Sequence, residues 1–168
     1  KDRCVVKNAD IEVTAAGDAL RSTNDSDSTL GYIVAADSDL SLISGEDGIQ
    51  AETTLAISGG TCTVSSGGGT DGGGSYDISA KGLKATAEVL LYDGVYDMDC
   101  YDDAIHSNGK VMISGGTYNI STSDDGIHAD ENTAISGGTV TIRESYEGIE
   151  GSLLDISGGK IDITADDD

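Results

Sequence analysis

The sequence contains no proline, no phenylalanine and no tryptophan. Its core must therefore be assembled from thin ladders of Ile, Val, Leu and Ala, and seven tyrosines are its whole aromatic supply. They are too few for a broad stacking platform, so rings contribute modestly to anything the surface binds. Basic residues are scarce too, 9 against 31 acidic ones, for a formal net charge of −22. Every long-range contact with nucleic acid or an anionic membrane surface is repulsive, which excludes both as partners. No apolar run reaches the roughly 18 residues of a membrane-spanning helix, so no membrane insertion is expected. The three cysteines, Cys4, Cys62 and Cys100, lack metal-site spacing, and their odd number leaves at least one thiol free. Cys4 and Cys100 remain either paired or unpaired at this stage.

What the chain has is a repeat. Ile105, Ile127 and Ile149 lie 22 residues apart, each closing an acidic-(Gly/Ala)-Ile unit. Ile-Ser-Gly-Gly recurs from Ile113, Ile135 and Ile156, and Leu91-Tyr92-Asp93-Gly94 is a degenerate copy one period earlier. Within each unit apolar and polar residues alternate, as in Thr117-Tyr118-Asn119-Ile120 and Thr139-Val140-Thr141-Ile142. A period of two with branched residues marks half-buried strands, and the Gly-Gly, Asp-Gly and Asn-Gly dipeptides mark turns. A sustained repeat of this length built from strands predicts an all-β solenoid, a right-handed parallel β-helix of about 22 residues per coil.

The register extends backwards through Leu83, Ile49 and Leu20. Longer gaps there predict insertions near 21–37 and 65–76, the second a Gly-rich flexible loop. Residues 1–168 thus read as one domain, with irregular coils over 1–80 and regular coils over 81–168. The terminal Asp166-Asp167-Asp168 falls where another acidic-Gly-Ile unit is due, so the chain reads as a piece of a longer protein. Cys62 shares its register position with Tyr118, Val140 and Ile161 and is expected to pack inward. Tyr96 and Tyr118 are expected to stack in the core.

Residues one period apart in a β-helix sit above one another. Asp103, Asp125 and Glu147 form one column, which Asp47 and Asp18 continue beyond an interruption at Lys81. Asp102, Asp124, Tyr146 and Asp167 form the next. Carboxylates about 5 Å apart repel by roughly 3 kcal/mol at an effective dielectric of 20. A bound cation or a raised carboxylate pKa offsets that repulsion. Several hard oxygen donors favour Ca²⁺ over transition metals. The plainer reading is that Asp residues stack at turns by accepting backbone N–H bonds. A third column, Lys84, His106, His128 and Glu150, is expected to point outward as a solvated ladder, a sugar contact or a transition-metal site.

The run from Asp102 to Gly151, with DDAIHSNG, ISGGTYNIS, DDGIHAD, ISGGTVTI and ESYEGIEG, resembles the bacterial carbohydrate-binding domain family with a polysaccharide-lyase-like β-helix. The similarity covers the chain from about Asp47 onward. It implies a secreted or cell-surface, calcium-binding module for cellulose and acidic pectin-like polysaccharide. Carried over, the implied Ca²⁺ ligands are Asp102, Asp103, Asp124, Asp125 and Glu147, with Glu144, Glu150, Asp166 and Asp167 further donors. Tyr92, Tyr101 and Tyr146 are the tyrosines expected to face outward; with His106, His128 and Lys84 they are the expected carbohydrate contacts.

A β-helix lyase needs an Arg or Lys base beside its calcium. Lys81 and Lys84 are the only basic residues beside the acidic column, and flanking carboxylates raise a lysine's pKa, the wrong direction for a base. The chain is therefore expected to be non-catalytic. A calcium-stabilised structural or adhesin solenoid and a calcium-dependent lyase are the alternatives. Open end coils leave end-to-end self-association available.

Overall fold

A computed structural model describes residues 1–72 and 78–167 of the chain. The turn dipeptides cut the sequence into strands that wind as a parallel β-helix, with no helix among the described residues. One coil runs along a first face with Lys110–Ile113, turns, and crosses a second face with Thr117–Thr122. It then enters a third face at the start of Ile127–Ile135, whose far end begins the next coil. Every strand pairs in parallel with its equivalents one coil away. Among the described residues, the first and second faces carry seven strands each and the third carries six.

The repeat read from the sequence is the register of these ladders. Leu20, Ile49, Leu83, Ile105, Ile127 and Ile149 stack along the third face. Ile57, Leu91, Ile113, Ile135 and Ile156 stack at the end of the first. The second face places Leu40, Cys62, Tyr96, Tyr118, Val140 and Ile161 in one column. Tyr96 and Tyr118 are fully buried, their rings stacked 4.4 Å apart and 7° from parallel. Their hydroxyls donate to the Asp93 and Gly115 carbonyls at 3.0 and 2.8 Å, so neither polar tip is stranded inside. Each fully buried side chain of this size contributes roughly 1.5–3 kcal/mol, which is how so thin a core holds together.

The corner between the first two faces depends on the second glycine of Ile-Ser-Gly-Gly. Gly116, Gly138 and Gly159 sit at φ of 95°, 92° and 93°, a region that side chains rarely adopt. All three cysteines are unpaired. Cys62 and Cys100 are buried, and burial pushes both thiols up to about 12.

Coil spacing lengthens where insertions were expected. Leu20 aligns with Ile49 and Ile49 with Leu83. The first insertion is confined to 23–31, because Leu20–Ser22 and Tyr32–Ser44 are strands. Strand Thr54–Ser66 likewise runs to its end before the Gly-rich loop begins at Gly67. Residues 73–77 of the segment expected to be a flexible loop lie outside the described residues.

Candidate functional site

The site is the turn that leads onto the third face, stacked coil upon coil. Backbone bonds lock these turns together, with Gly48, Gly82 and Gly126 N–H donating to the Lys81, Asp103 and Glu147 carbonyls. Asp18, Lys81, Asp103 and Asp125 therefore stand in one line with Asp47 and Glu147, as the spacing requires. Some of the acids do structural work here. The carboxylates of Asp18, Asp47 and Asp103 accept the backbone N–H of Asp47, Lys81 and Asp125, at 3.1, 2.9 and 3.3 Å. That is the turn-capping role a stacked Asp plays without any metal.

The chain also supplies its own cations, an offset to carboxylate repulsion that the sequence reading did not weigh. Lys81 Nζ lies 2.6 Å from Asp102 Oδ1 and 2.7 Å from Asp103 Oδ2. Lys84 Nζ lies 3.1 Å from Asp47 Oδ2 and donates to Ser79 Oγ at 2.9 Å. Burial opposes the charge on Lys81, yet the two aspartates outweigh it and raise the ammonium's pKa. Burial likewise works to raise the Asp103 carboxyl. The hydrogen bond from His106 and the charge of Lys81 prevail and hold it down to about 2.

His106 and His128 are neighbours in the ladder that also carries Lys84 and Glu150. The expected solvated exterior ladder is not what this column forms. His106 is only 8 % exposed, its Nδ1 2.7 Å from Asp103 Oδ2. His128 packs edge-on against it, with centroids 5.0 Å apart and planes at 72°. Alternation sends both rings away from the core, but the carboxylates three residues earlier fold over them. His128 Nδ1 lies 3.0 Å from Asp125 Oδ2, 3.5 Å from Glu150 Oε2 and 3.8 Å from Asp103 Oδ2. Its Nε2 lies 3.4 Å from Asp130 Oδ1, a residue the sequence reading passed over.

Asp125 behaves differently from Asp103. Among the described residues no Lys or Arg pairs with it. Burial, then the charges of Asp103 and Asp124, raise its carboxyl to about 7. Burial and the charges of Asp103 and Asp102 raise exposed Asp124 as well. Among the described residues, three groups of side chains bring potential ligand atoms within 4.8 Å of one another: Asp102–Asp103–Asp124, Asp103–His106–His128 and Asp125–His128–Glu150. The first matches calcium in kind. It falls short of the six to eight oxygens calcium takes, so water or a ligand must supply the rest. Glu147 is half-buried in line with Asp125, while Glu144, Asp166 and Asp167 are exposed and belong to none of these groups.

The expected sugar-contacting tyrosines are spread around the molecule. Tyr101 is half-buried and lines a small recess of about 60 Å³ with Ile78, Asp102 and Asp124. Tyr146 is half-exposed and donates to Asp167 Oδ2 at 3.1 Å. Tyr92 lies on the first face, beside an open groove of about 410 Å³ that Met112, Ser114, Ser136, Asp155 and Ser157 also line. A more open recess of about 330 Å³ spans the three coils before His106, among Asp18, Arg21, Glu46, Asp47, Gln50, Ser79 and Lys84. Arg21, Gln50 and Ser79 carried no signal in the sequence beyond their place near the acidic column.

A sequence model of the family described as "Carbohydrate-binding domain-containing protein" matches residues 1–126 of the 168. The match starts with the irregular N-terminal coils and stops just before Ile127. No significant match exists among curated proteins or among solved structures.

Proposed function

The chain belongs to the family of carbohydrate-binding domain-containing proteins, and from that premise we propose that it is a non-catalytic module attaching to plant cell-wall polysaccharide outside the cell. Cellulose and acidic, pectin-like chains are the ligand classes, and the acidic ridge beside the third face is the contact. The carrying observation is that Lys81 sets one positive charge against both Asp102 and Asp103, while no Lys or Arg among the described residues forms an ion pair with Asp124 or Asp125. Calcium would be held by Asp124 together with Asp102 and Asp103, whose carboxylates it would share with the Lys81 ammonium, and its charge would turn the local field toward an anionic sugar. The ridge itself leaves coordination positions for sugar hydroxyl and carboxylate oxygens. Tyr92 and the serines of the first-face groove offer a second, hydroxyl-rich strip beside an aromatic ring.

The geometry of the two lysines favours binding over lyase chemistry. Lys81 is held by two carboxylates and its pKa is raised; Lys84 is paired with Asp47. A base must give up its proton near neutrality, and Lys81 is tuned the other way.

Retention on insoluble cellulose and on polygalacturonate gel, in calcium and then in chelator, tests the reading. Retention that chelator abolishes supports the calcium-dependent module. A folded protein retained by neither matrix in either condition overturns it in favour of a structural solenoid. Unsaturated uronate products from polygalacturonate would establish a lyase.

A further inference from the structure

The carboxylates of Asp125 and Glu150 converge on an imidazole nitrogen, and nothing in the polysaccharide reading uses that arrangement. Asp125 is buried, and its only potential cationic partner among the described residues is His128, a neutral donor whenever it carries no extra proton. Glu150 reaches the same nitrogen from the next coil, through the ladder that pairs it with His128. Two strands one period apart supply His128 and Glu150, and the turn just before the first of them supplies Asp125.

The spacing of those atoms is informative. Ligand atoms about 2.1 Å from a tetrahedral ion stand about 3.4 Å from one another. Asp125 Oδ2 and Glu150 Oε2 lie 3.0 and 3.5 Å from His128 Nδ1. A nitrogen donor with only two carboxylates is a poor shell for calcium, which takes six to eight oxygens at roughly 2.3–2.6 Å. Imidazole with carboxylate suits a borderline divalent ion of the zinc class. Asp103 closes the inner side at 3.8 Å, already held by Lys81 and by His106, as a supporting residue would be. The Glu150 side chain is half-exposed, so the outer side of the site opens to solvent.

We propose that Asp125, His128 and Glu150 form a three-ligand site for a divalent transition ion of the zinc class, separate in its preference from the all-carboxylate group at Asp102, Asp103 and Asp124. Zinc makes the buried Asp125 charge tolerable, and its fourth position faces outward for water or an oxygen donor. The site needs no polysaccharide, so it stands or falls apart from the reading above.

The test is calorimetric titration of Zn²⁺ alone into the full chain with millimolar Ca²⁺ present and no glycan. One equivalent of zinc that calcium does not displace is expected. Glu150→Gln and His128→Ala should each weaken it at least about tenfold, and Asp10→Asn, at the exposed start of the strand Asp10–Ala15 on another face, should leave it unchanged. Glu150 is a surface residue, so Glu150→Gln remains informative if His128→Ala fails to fold. Absence of binding, displacement by calcium, or full affinity in a folded Glu150→Gln protein each overturns the site. Loss of polysaccharide retention with zinc binding intact overturns only the polysaccharide reading.

Discussion

Lys81 occupies the turn position where the neighbouring coils place Asp47 and Asp103, and its ammonium lies 2.7 Å from the Asp103 carboxylate. Both side chains are largely shielded, at 14 % and 3 % exposure. A buried charge left without its partner costs roughly 3–5 kcal/mol. Lys81→Met should therefore destabilise the protein by about 3 kcal/mol in urea unfolding. An unchanged midpoint would mean that solvent screens the pair.

The two neighbouring acids pull stability in opposite directions with pH. Asp103 is held down to about 2 against an ordinary 3.8, so its contribution is complete above pH 3.8 and is lost as pH falls toward 2. Asp125 is raised to about 7, so its contribution is complete below pH 3.8 and is lost as pH rises through about 7. Melting temperature without divalent ions should therefore be higher near pH 5 than at pH 8. Asp125→Asn should shrink that difference. A protein more stable at pH 8 than at pH 5 would contradict the Asp125 environment described above.

The tyrosine stack separates packing from hydrogen bonding. Tyr118→Phe keeps the ring and loses the hydroxyl, with its bond to the Gly115 carbonyl and its interaction with the Tyr96 hydroxyl, an expected cost of about 1 kcal/mol. Tyr118→Ala empties a fully buried site against Tyr96 and should cost roughly 3–5 kcal/mol. Equal losses by chemical denaturation would show that the ring contributes little.

Gly138 tests the corner. A Cβ there would lie 2.9 Å from the Gly116 carbonyl oxygen and 3.0 Å from the Gly115 carbonyl carbon, at a φ of 92°. Gly138→Ala should cost on the order of 1–3 kcal/mol in thermal unfolding. A neutral substitution would mean that the corner relaxes freely.

The ladders were legible in the sequence because a parallel solenoid turns a 22-residue spacing into direct contact. Ile105 over Ile127 and Tyr96 over Tyr118 follow from counting alone. The site was less legible. The break at Lys81 in the acidic column is visible as a spacing, but a four-carbon side chain reaching Asp102 and Asp103 is a rotamer choice that periodicity does not encode. Alternation places His106 off the core side, and cannot foresee that the Asp103 carboxylate will turn onto its ring. The insertions were read too wide because their flanks, such as Arg21–Ser22 and Tyr32–Asp37, have no strong alternation of their own yet are held as strands by the coils beside them.

The in-register pairing of Lys110 with Asn132 makes chain length a matter of whole units. Excising residues 110–131 would bring Asn132 to the place Lys110 leaves, with each ladder still meeting its neighbour in phase. An inserted copy would do the same in the other direction. Growth and loss by unequal recombination are thus open to this architecture, where a fold with an enclosed, three-dimensionally knit interior would be broken by either event. The reach of the molecule, and the number of acidic turns it presents, can change without its having to be folded anew.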